Sequence, residues 1–150
     1  MEAILAARER HLFPSLTKEG APAIFETTGN KYGHLVLRGG SASGPNFGSA
    51  AVTAAVATLR AANLPEVVMV DCSHGNSEKR PERQVEVLKD VLAQRLAGQL
   101  ALKAIMIESH LVGGRQDPGA ALTYGQSITD ACLAFDDTKR AIEALATRWV

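Results

Sequence analysis

Three short apolar runs recur along the chain, and longer segments of helical composition separate them. The runs cover residues 34–38, 67–71 and 102–108, and none of them alternates regularly between apolar and polar positions. A continuous run of this kind is typical of a strand that is buried on both faces. Residues 48–62 and 81–97 between the runs are rich in helix-forming residues such as alanine and leucine. The succession predicts a βαβαβ unit, and therefore a parallel sheet with right-handed crossovers.

A different pattern precedes the first run. Residues 13–17 and 23–28 are two short strand-like pieces, and residues 18–22 between them contain a glycine and a proline that favour a turn. The pattern predicts a β-hairpin at about residues 13–28, as an addition to the βαβαβ succession.

The last part of the chain is another helical segment. Asp136 is well placed to cap this helix, which we expect to run to about Arg148. A chain of 150 residues is long enough for one domain with a substantial core. We therefore predict an α/β fold in one segment, residues 1–150, whose βα units occupy about residues 34–148.

Charged or titratable groups stand at the carboxyl ends of the three predicted strands. They are Arg38, Asp71 with the nearby His74, and Glu108. Asp, Gly, Asn and Ser are also ordinary turn residues, so solvated loops are the alternative interpretation. Because the carboxyl ends of parallel strands meet at one edge of a sheet, where α/β folds place ligand sites, the recurrence favours a site there.

Composition limits the class of partner. Acidic and basic residues balance at 16 each, which gives no electrostatic reason to expect a nucleic acid or a membrane surface as partner. No stretch is apolar over the length of a membrane span, and the amino terminus does not resemble a secretory signal. Two cysteines are too few for a disulfide framework, so Cys72 and Cys132 are expected to be small buried residues in a cytoplasmic protein.

Four motifs together resemble the type I family of 3-deoxy-D-arabino-heptulosonate 7-phosphate (DAHP) synthase. The motifs are LRGG at 37–40, SHGNS with Lys79 at 73–79, IESHLVGGRQ at 107–116 and YGQSITDAC at 124–132. The resemblance covers essentially the whole chain in order. It implies the carboxyl-terminal portion of a (β/α)8 TIM barrel, namely its last three βα units with the hairpin added. The family's amino-terminal portion has no counterpart in these residues.

The resemblance implies a site for a divalent transition metal. Members of the family hold the metal with a cysteine, a histidine, a glutamate and an aspartate, and His74, Glu108 and Asp130 match the last three. This mixed donor set suits Mn, Fe, Co or Zn. The cysteine ligand is expected outside this chain. Taken singly, a histidine is more often structural and a carboxylate more often a solvated surface group.

Further residues match the family's ligand sites. Arg38 matches the arginine that binds phosphoenolpyruvate, and its planar guanidinium suits a phosphate or carboxylate, although a surface ion pair is the alternative. Lys79 and Asn76 are expected either near the substrate or in a polar loop that caps the next helix.

Phe13, Ser15 and Phe25 match the lining of the pocket in which regulated members of the family bind an aromatic amino acid inhibitor. The alternative is simple packing of two aromatic side chains on a short sheet.

The resemblance implies condensation of phosphoenolpyruvate with erythrose 4-phosphate, which yields DAHP and phosphate in the first step of the shikimate pathway to aromatic amino acids. No catalytic side chain is expected apart from the metal site, and the 150-residue chain by itself is expected to be inactive. A homo-oligomer or an amino-terminal partner segment is expected to complete it. The alternative is a catalytically dead remnant that acts as a regulatory or partner-binding module.

Overall fold

The computed structural model describes residues 1–119 and 121–149. Four α-helices and nine β-strands lie in these residues. In chain order they are α1 (Glu2–Arg8), β1 (Leu12–Leu16), β2 (Pro22–Glu26), β3 (Leu35–Leu37), α2 (Ser49–Ala61), β4 (Val68–Asp71), α3 (Arg83–Leu96), β5 (Leu102–Met106), β6 (Ser109–His110), β7 (Val112–Arg115), β8 (Gln126–Ser127), β9 (Leu133–Ala134) and α4 (Phe135–Ala146).

The central element is a parallel sheet of three strands in the order β3-β4-β5. Leu35 pairs with Val68, and Val70 pairs with Leu37 on one side and Ile105 on the other. Helices α2 and α3 connect the strands, so the observed succession is the βαβαβ unit that the apolar runs predict.

The hydrophobic core lies between this sheet and the two connecting helices. Apolar residues of α2 and α3 recur at spacings of three and four, which brings them to one face of each helix. The buried residues of the core cluster include Val52, Val56 and Leu59 of α2, Val87, Leu88 and Val91 of α3, and Leu37, Val68, Val70 and Leu102 of the strands. At about 25 cal/mol per Å² of apolar surface, this burial is the main stabilising contribution in the chain.

The second face of the sheet is only partly covered, which corrects the prediction of strands buried on both faces. Val36 and Met106 retain 40% and 38% of their exposure, and Lys103 is exposed. The reason is that α2 and α3 pack on the opposite face, where Val68, Val70 and Leu102 are fully buried.

Short strand pairs fill the segment between β5 and α4, and no pattern in the sequence predicts them. Strand β6 pairs with β9 and β7 pairs with β8, both in parallel. Helix α4 starts at Phe135 with Ala134 at the N-cap position, so Asp136 is not the cap as predicted. Asp136 lies instead in the first turn, where its negative charge favours the positive end of the helix dipole.

Near the amino terminus, β1 and β2 pair antiparallel, with Phe13 opposite Phe25 and Leu16 opposite Pro22. Helix α1, which the sequence analysis did not predict, precedes them. Every residue of β1 is exposed, and Ile24 of β2 retains 70% of its exposure. Among the described residues, no helix combines the length and the apolar character that a membrane crossing requires.

Candidate metal centre and anion pocket

The loop after β4 has a demanding backbone conformation. Three non-glycine residues, His74, Glu78 and Lys79, have positive φ angles of 48°, 52° and 59°. Such angles cost about 1–3 kcal/mol each and persist only where the surroundings impose them. The surroundings here include the Asp71 carboxylate, which accepts a hydrogen bond from the Ser73 backbone N–H at 2.8 Å.

Asn76 ties the carboxyl ends of β3 and β4 together. Its side-chain amide is buried and donates to the carbonyl oxygens of Leu37 and Asp71 at 3.0 and 2.8 Å. Its oxygen accepts the N–H of Asn46 at 2.7 Å, and the Asn46 side chain accepts the N–H of Gly39 at 2.8 Å. The amide of Asn76 is therefore used within the protein, which favours the loop-organising interpretation over a substrate contact.

Two glycines allow the loops to touch at this point. A Cβ atom on Gly75 would lie 2.4 Å from the Gly40 nitrogen and 2.6 Å from the Gly39 carbonyl carbon. Because both neighbours are backbone atoms, no side-chain movement relieves this contact. Gly75 is thus required for the close approach of the loops that carry Arg38 and His74.

His74 is held by a buried carboxylate. Its Nδ1 lies 2.6 Å from Oδ2 of Asp71, whose side chain is fully buried. A proton on Nδ1 that is donated to Asp71 leaves the lone pair of Nε2 free for a metal, which is the usual arrangement for histidine ligands. The sequence places Asp71 at the end of the strand, but its role in orienting His74 becomes visible only in the structure.

His74, Glu108 and Asp130 come together from three loops. The Nε2 atom of His74 lies 3.3 Å from Oε1 of Glu108 and 4.0 Å from Oδ2 of Asp130. One ligand atom from each residue falls within 4.8 Å of the other two. We call these three residues the triad. An imidazole and two carboxylates in this arrangement fit a divalent cation of borderline softness.

The electrostatics of the triad favour a cation. Burial raises the pKa of the Glu108 carboxyl, His74 and Arg38 lower it, and the negative charges of Asp130 and Asp71 raise it further. A positive ion between the carboxylates would offset their mutual repulsion.

Arg38 and Lys79 face the same cleft as two members of the triad. The pocket has a volume of about 680 Å³. Its lining residues include Arg38, Gly39, Gly40, Ser41, His74, Lys79 and Asp130. A guanidinium and an ammonium group beside glycine backbone can accommodate a phosphate or a carboxylate. The structure therefore brings all five predicted metal and substrate residues to one edge of the sheet.

The predicted inhibitor residues lie on the separate β1-β2 sheet. The rings of Phe13 and Phe25 stack with centroids 6.2 Å apart. Both side chains are partly exposed, at 43% and 39%, and Ser15 follows on the same strand face as Phe13. Cross-strand packing accounts for the stack, and a ligand role for these residues stays a prediction.

The two cysteines differ in their surroundings. Cys72 is fully buried, and burial together with the charge of Asp71 raises its thiol pKa to about 12. Cys132 is only half-buried, which corrects the expectation that both are buried. Burial raises the pKa of the Cys132 thiol, a hydrogen bond with Ser127 lowers it, and the nearby carboxylates of the triad raise it.

Comparison with known proteins gives a consistent result. A model described as the DAHP synthetase I family matches residues 1–143. The chain is 46% identical over 149 residues to "Phospho-2-dehydro-3-deoxyheptonate aldolase, Trp-sensitive" of Escherichia coli, with 98% of this chain and 42% of the relative covered. It is 44% identical over 148 residues to the Haemophilus influenzae protein "Phospho-2-dehydro-3-deoxyheptonate aldolase", with 97% and 41% covered.

A solved structure is similar as well. The Francisella tularensis phospho-2-dehydro-3-deoxyheptonate aldolase matches with a TM-score of 0.91 and 46% identity, covering 98% of this chain and 43% of that chain. The chain thus spans about two fifths of the length of these relatives.

Proposed function

The chain belongs to the DAHP synthetase I family, and from that premise we propose that it supplies the metal site and part of the anion site of a DAHP synthase. The observation that carries the proposal is the convergence of the triad with Arg38 and Lys79 at one edge of the parallel sheet. The reaction joins carbon 3 of phosphoenolpyruvate to the aldehyde carbon of erythrose 4-phosphate. Water adds at carbon 2, and inorganic phosphate leaves.

We propose that β3, β4 and β5 form part of the wall of a (β/α)8 barrel. Support comes from their parallel order, from the helices that cover one face, and from the partly exposed second face at Val36 and Met106. The interior of a closed barrel would cover that face. The remaining strands would come from an amino-terminal partner segment, and a homo-oligomer is a further expected partner.

The proposed metal ligands are His74, Glu108 and Asp130, with Mn, Fe, Co or Zn as the ion. A fourth protein ligand would come from outside the chain. When bound, the ion supplies Lewis-acid polarisation of the aldehyde oxygen. Asp71 contributes by holding the proton on Nδ1 of His74, which keeps Nε2 directed toward Glu108.

The cationic side chains of Arg38 and Lys79 are proposed to bind the anionic substrate. The Arg38 guanidinium and the Lys79 ammonium group would hold the carboxylate or phosphate of phosphoenolpyruvate in the pocket. Gly39 and Gly40 would let the anion approach the backbone. Positioning of this kind converts the encounter of two substrates into a reaction within one complex.

We propose further that Phe13, Ser15 and Phe25 contribute to a site for an aromatic amino acid inhibitor. The support is the resemblance of these positions to the family's inhibitor pocket. The printed name of the Escherichia coli relative also describes that protein as Trp-sensitive. The exposed rings of Phe13 and Phe25 offer an apolar surface for such a ligand.

The first experiment measures metal binding by titration calorimetry with Mn²⁺. The 150-residue chain is expected to bind the ion weakly, because one ligand is missing and the loops lack a closed scaffold. The His74→Ala variant is expected to bind at least about ten times more weakly. Equal binding by both proteins would remove His74 from the site.

The second experiment tests turnover. The chain by itself is expected to be inactive and to gain activity when it is co-expressed with the amino-terminal portion of a related enzyme. In that complex, Glu108→Ala and Asp130→Ala should abolish turnover, whereas Arg38→Ala should mainly raise KM for phosphoenolpyruvate. A stable complex that forms without any turnover would favour the alternative of a catalytically dead binding module.

A further inference from the structure

Gln84 is a buried glutamine near the start of α3, and its side chain contacts the backbone of Glu108, a member of the triad. It retains only 1% of its exposure. Its carboxamide makes two hydrogen bonds to the backbone of one residue, Glu108. The Glu108 N–H donates to Oε1 of Gln84 at 2.8 Å, and Nε2 of Gln84 donates to the Glu108 carbonyl oxygen at 3.2 Å. The side chain thus binds Glu108 in the way that a neighbouring strand would.

Gln84 supports the Glu108 backbone at a point where the parallel sheet no longer does. The last backbone bond between β4 and the end of β5 runs from the Cys72 N–H to the Met106 carbonyl oxygen at 2.8 Å. Glu108 follows two residues later, beyond the end of β5. Its carbonyl oxygen also accepts the N–H of Leu133 at 3.0 Å, in the strand that follows Asp130. The Glu108 peptide therefore joins α3 on one side to the Asp130 segment on the other.

Helix α3 is in turn connected to the His74 loop. The Lys79 N–H donates to the His74 carbonyl oxygen at 3.0 Å, and the Glu78 carboxylate pairs with Arg83 in the first turn of the helix. Gln84 is the next residue after Arg83. The loop that carries His74 and the peptide that carries Glu108 thus both contact the first turn of α3.

We propose that Gln84 is a positioning residue for the metal centre, which sets the Glu108 carboxylate relative to His74 through the Glu108 backbone. This inference rests on the proposed metal site. Groups that orient metal ligands typically change metal affinity by about 10- to 100-fold when they are removed. A purely structural role would instead lower stability without a specific change in affinity.

The test compares Gln84→Met with Gln94→Met in the 150-residue chain. Gln94 lies on the same helix and donates to the Phe47 carbonyl oxygen at 2.9 Å, so its variant also loses a hydrogen bond between a side chain and the backbone. Calorimetry with Mn²⁺ gives the affinity, and thermal unfolding gives the stability. We expect Gln84→Met to weaken Mn²⁺ binding about 10-fold or more and Gln94→Met to leave it unchanged.

A third variant covers the case in which Gln84→Met does not fold. With its carboxyl ionised, Gln84→Glu keeps the acceptor for the Glu108 N–H but loses the donor to the Glu108 carbonyl oxygen, so weakened Mn²⁺ binding is expected here too. Hydrogen exchange at the Glu108 amide should stay slow in this variant and in Gln94→Met.

The outcomes separate the two proposals. If the unsubstituted chain binds Mn²⁺ and the folded Gln84 variants bind it equally well, the positioning role is wrong and the metal site stands. If the unsubstituted chain binds no Mn²⁺ while it is folded, the metal site and the positioning role both fail.

Discussion

The parallel sheet and the amino-terminal hairpin are both built from short apolar strands, yet only the sheet has a fully buried face. Val68 and Val70 of β4 have no exposed surface, whereas Leu16 and Ile24 of the hairpin retain 62% and 70% of theirs. Composition alone does not separate the two regions, because both sets of strands are rich in apolar side chains.

The two regions differ in burial because helices cover one face of the sheet. The connecting helices α2 and α3 present their apolar faces to the sheet, and the core forms between them. The hairpin has two strands, and its apolar side chains Leu16 and Ile24 stay largely exposed. A pair of strands alone is only marginally stable in water. An apolar strand therefore contributes to a core only where another element covers it.

The side chains that carry the proposed function of each region differ in burial in the same way. His74 of the triad stands on a loop that follows the buried strand β4, and the buried polar groups Asp71 and Asn76 hold that loop. Phe13 and Phe25 stand on an exposed hairpin, where a ligand or another subunit can still alter their packing.

The largest effect is expected from a substitution in the buried sheet. Leu102→Ala leaves a cavity beside β4 and should lower the free energy of unfolding by about 2–5 kcal/mol. Leu16→Ala in the hairpin removes the same atoms from an exposed position and should change it by less than about 0.5 kcal/mol. Urea denaturation measures both values. Similar losses in the two variants would show that the hairpin is buried in solution.

Two glycines extend the comparison to the loops. Gly75→Ala forces a Cβ into the backbone of the loop after β3 and should cost about 1–3 kcal/mol, together with weaker Mn²⁺ binding. Gly20 in the hairpin turn has φ +82° and no atom within 4 Å of a Cβ, so Gly20→Ala should cost only about 1–2 kcal/mol, the penalty for a left-handed residue. Circular dichroism during urea denaturation, with calorimetry for Mn²⁺, checks both. Unchanged Mn²⁺ binding in Gly75→Ala would contradict the need for close contact between the loops.

A smaller effect is expected from the aromatic pair on the hairpin. Phe13 and Phe25 are direct cross-strand partners, and a double-mutant cycle with alanine should give a coupling energy of about 0.2–1 kcal/mol. The matched cycle combines Ser15→Ala with Ala23→Gly, the next pair on this face, and should give a coupling energy near zero. No coupling for the aromatic pair would mean that the rings do not stack in solution.

The smallest change in stability is expected from Ile24→Lys, about 0.5 kcal/mol or less, because Ile24 is exposed. The association state should nevertheless change. The chain is expected to self-associate through the exposed apolar positions of the hairpin and the open face of the sheet. Light scattering should show less association for Ile24→Lys, whereas Thr28→Lys, at an exposed polar position, should behave as the unsubstituted chain. A monodisperse monomer without any substitution would defeat this expectation.

The long regular elements could be predicted well because their signal is local. Residues 48–62 and 81–97 were predicted as helices, and the structure has Ser49–Ala61 and Arg83–Leu96. The segment between β5 and α4 could not be predicted, because strands of two residues show no period. Asp136 illustrates a smaller error, since a good capping residue lies two positions past the actual cap, Ala134.

The residues of the candidate site also differ in whether the sequence predicts them. The triad residues were named from motifs that resemble a family, and the structure brings them within 4.8 Å of one another. Asn46 and Gln84, which hold the surrounding backbone, were not found from the sequence. Neither lies in a motif. The Asn46 side chain accepts the N–H of Gly39 while the Asn46 N–H donates to the distant Asn76 side chain, and Gln84 binds the distant Glu108.

The apolar and helical patterns predict β3, β4, β5, α2 and α3 close to their observed bounds, because these elements show a local pattern, and the motifs that resemble a family name the candidate ligand residues. The buried face of the sheet and the hydrogen bonds that hold His74 and Glu108 become clear only in three dimensions, because burial and hydrogen bonding depend on neighbours in space. Gln84 and Glu108 are 24 residues apart, and only the packing of α3 beside the end of β5 brings them into contact.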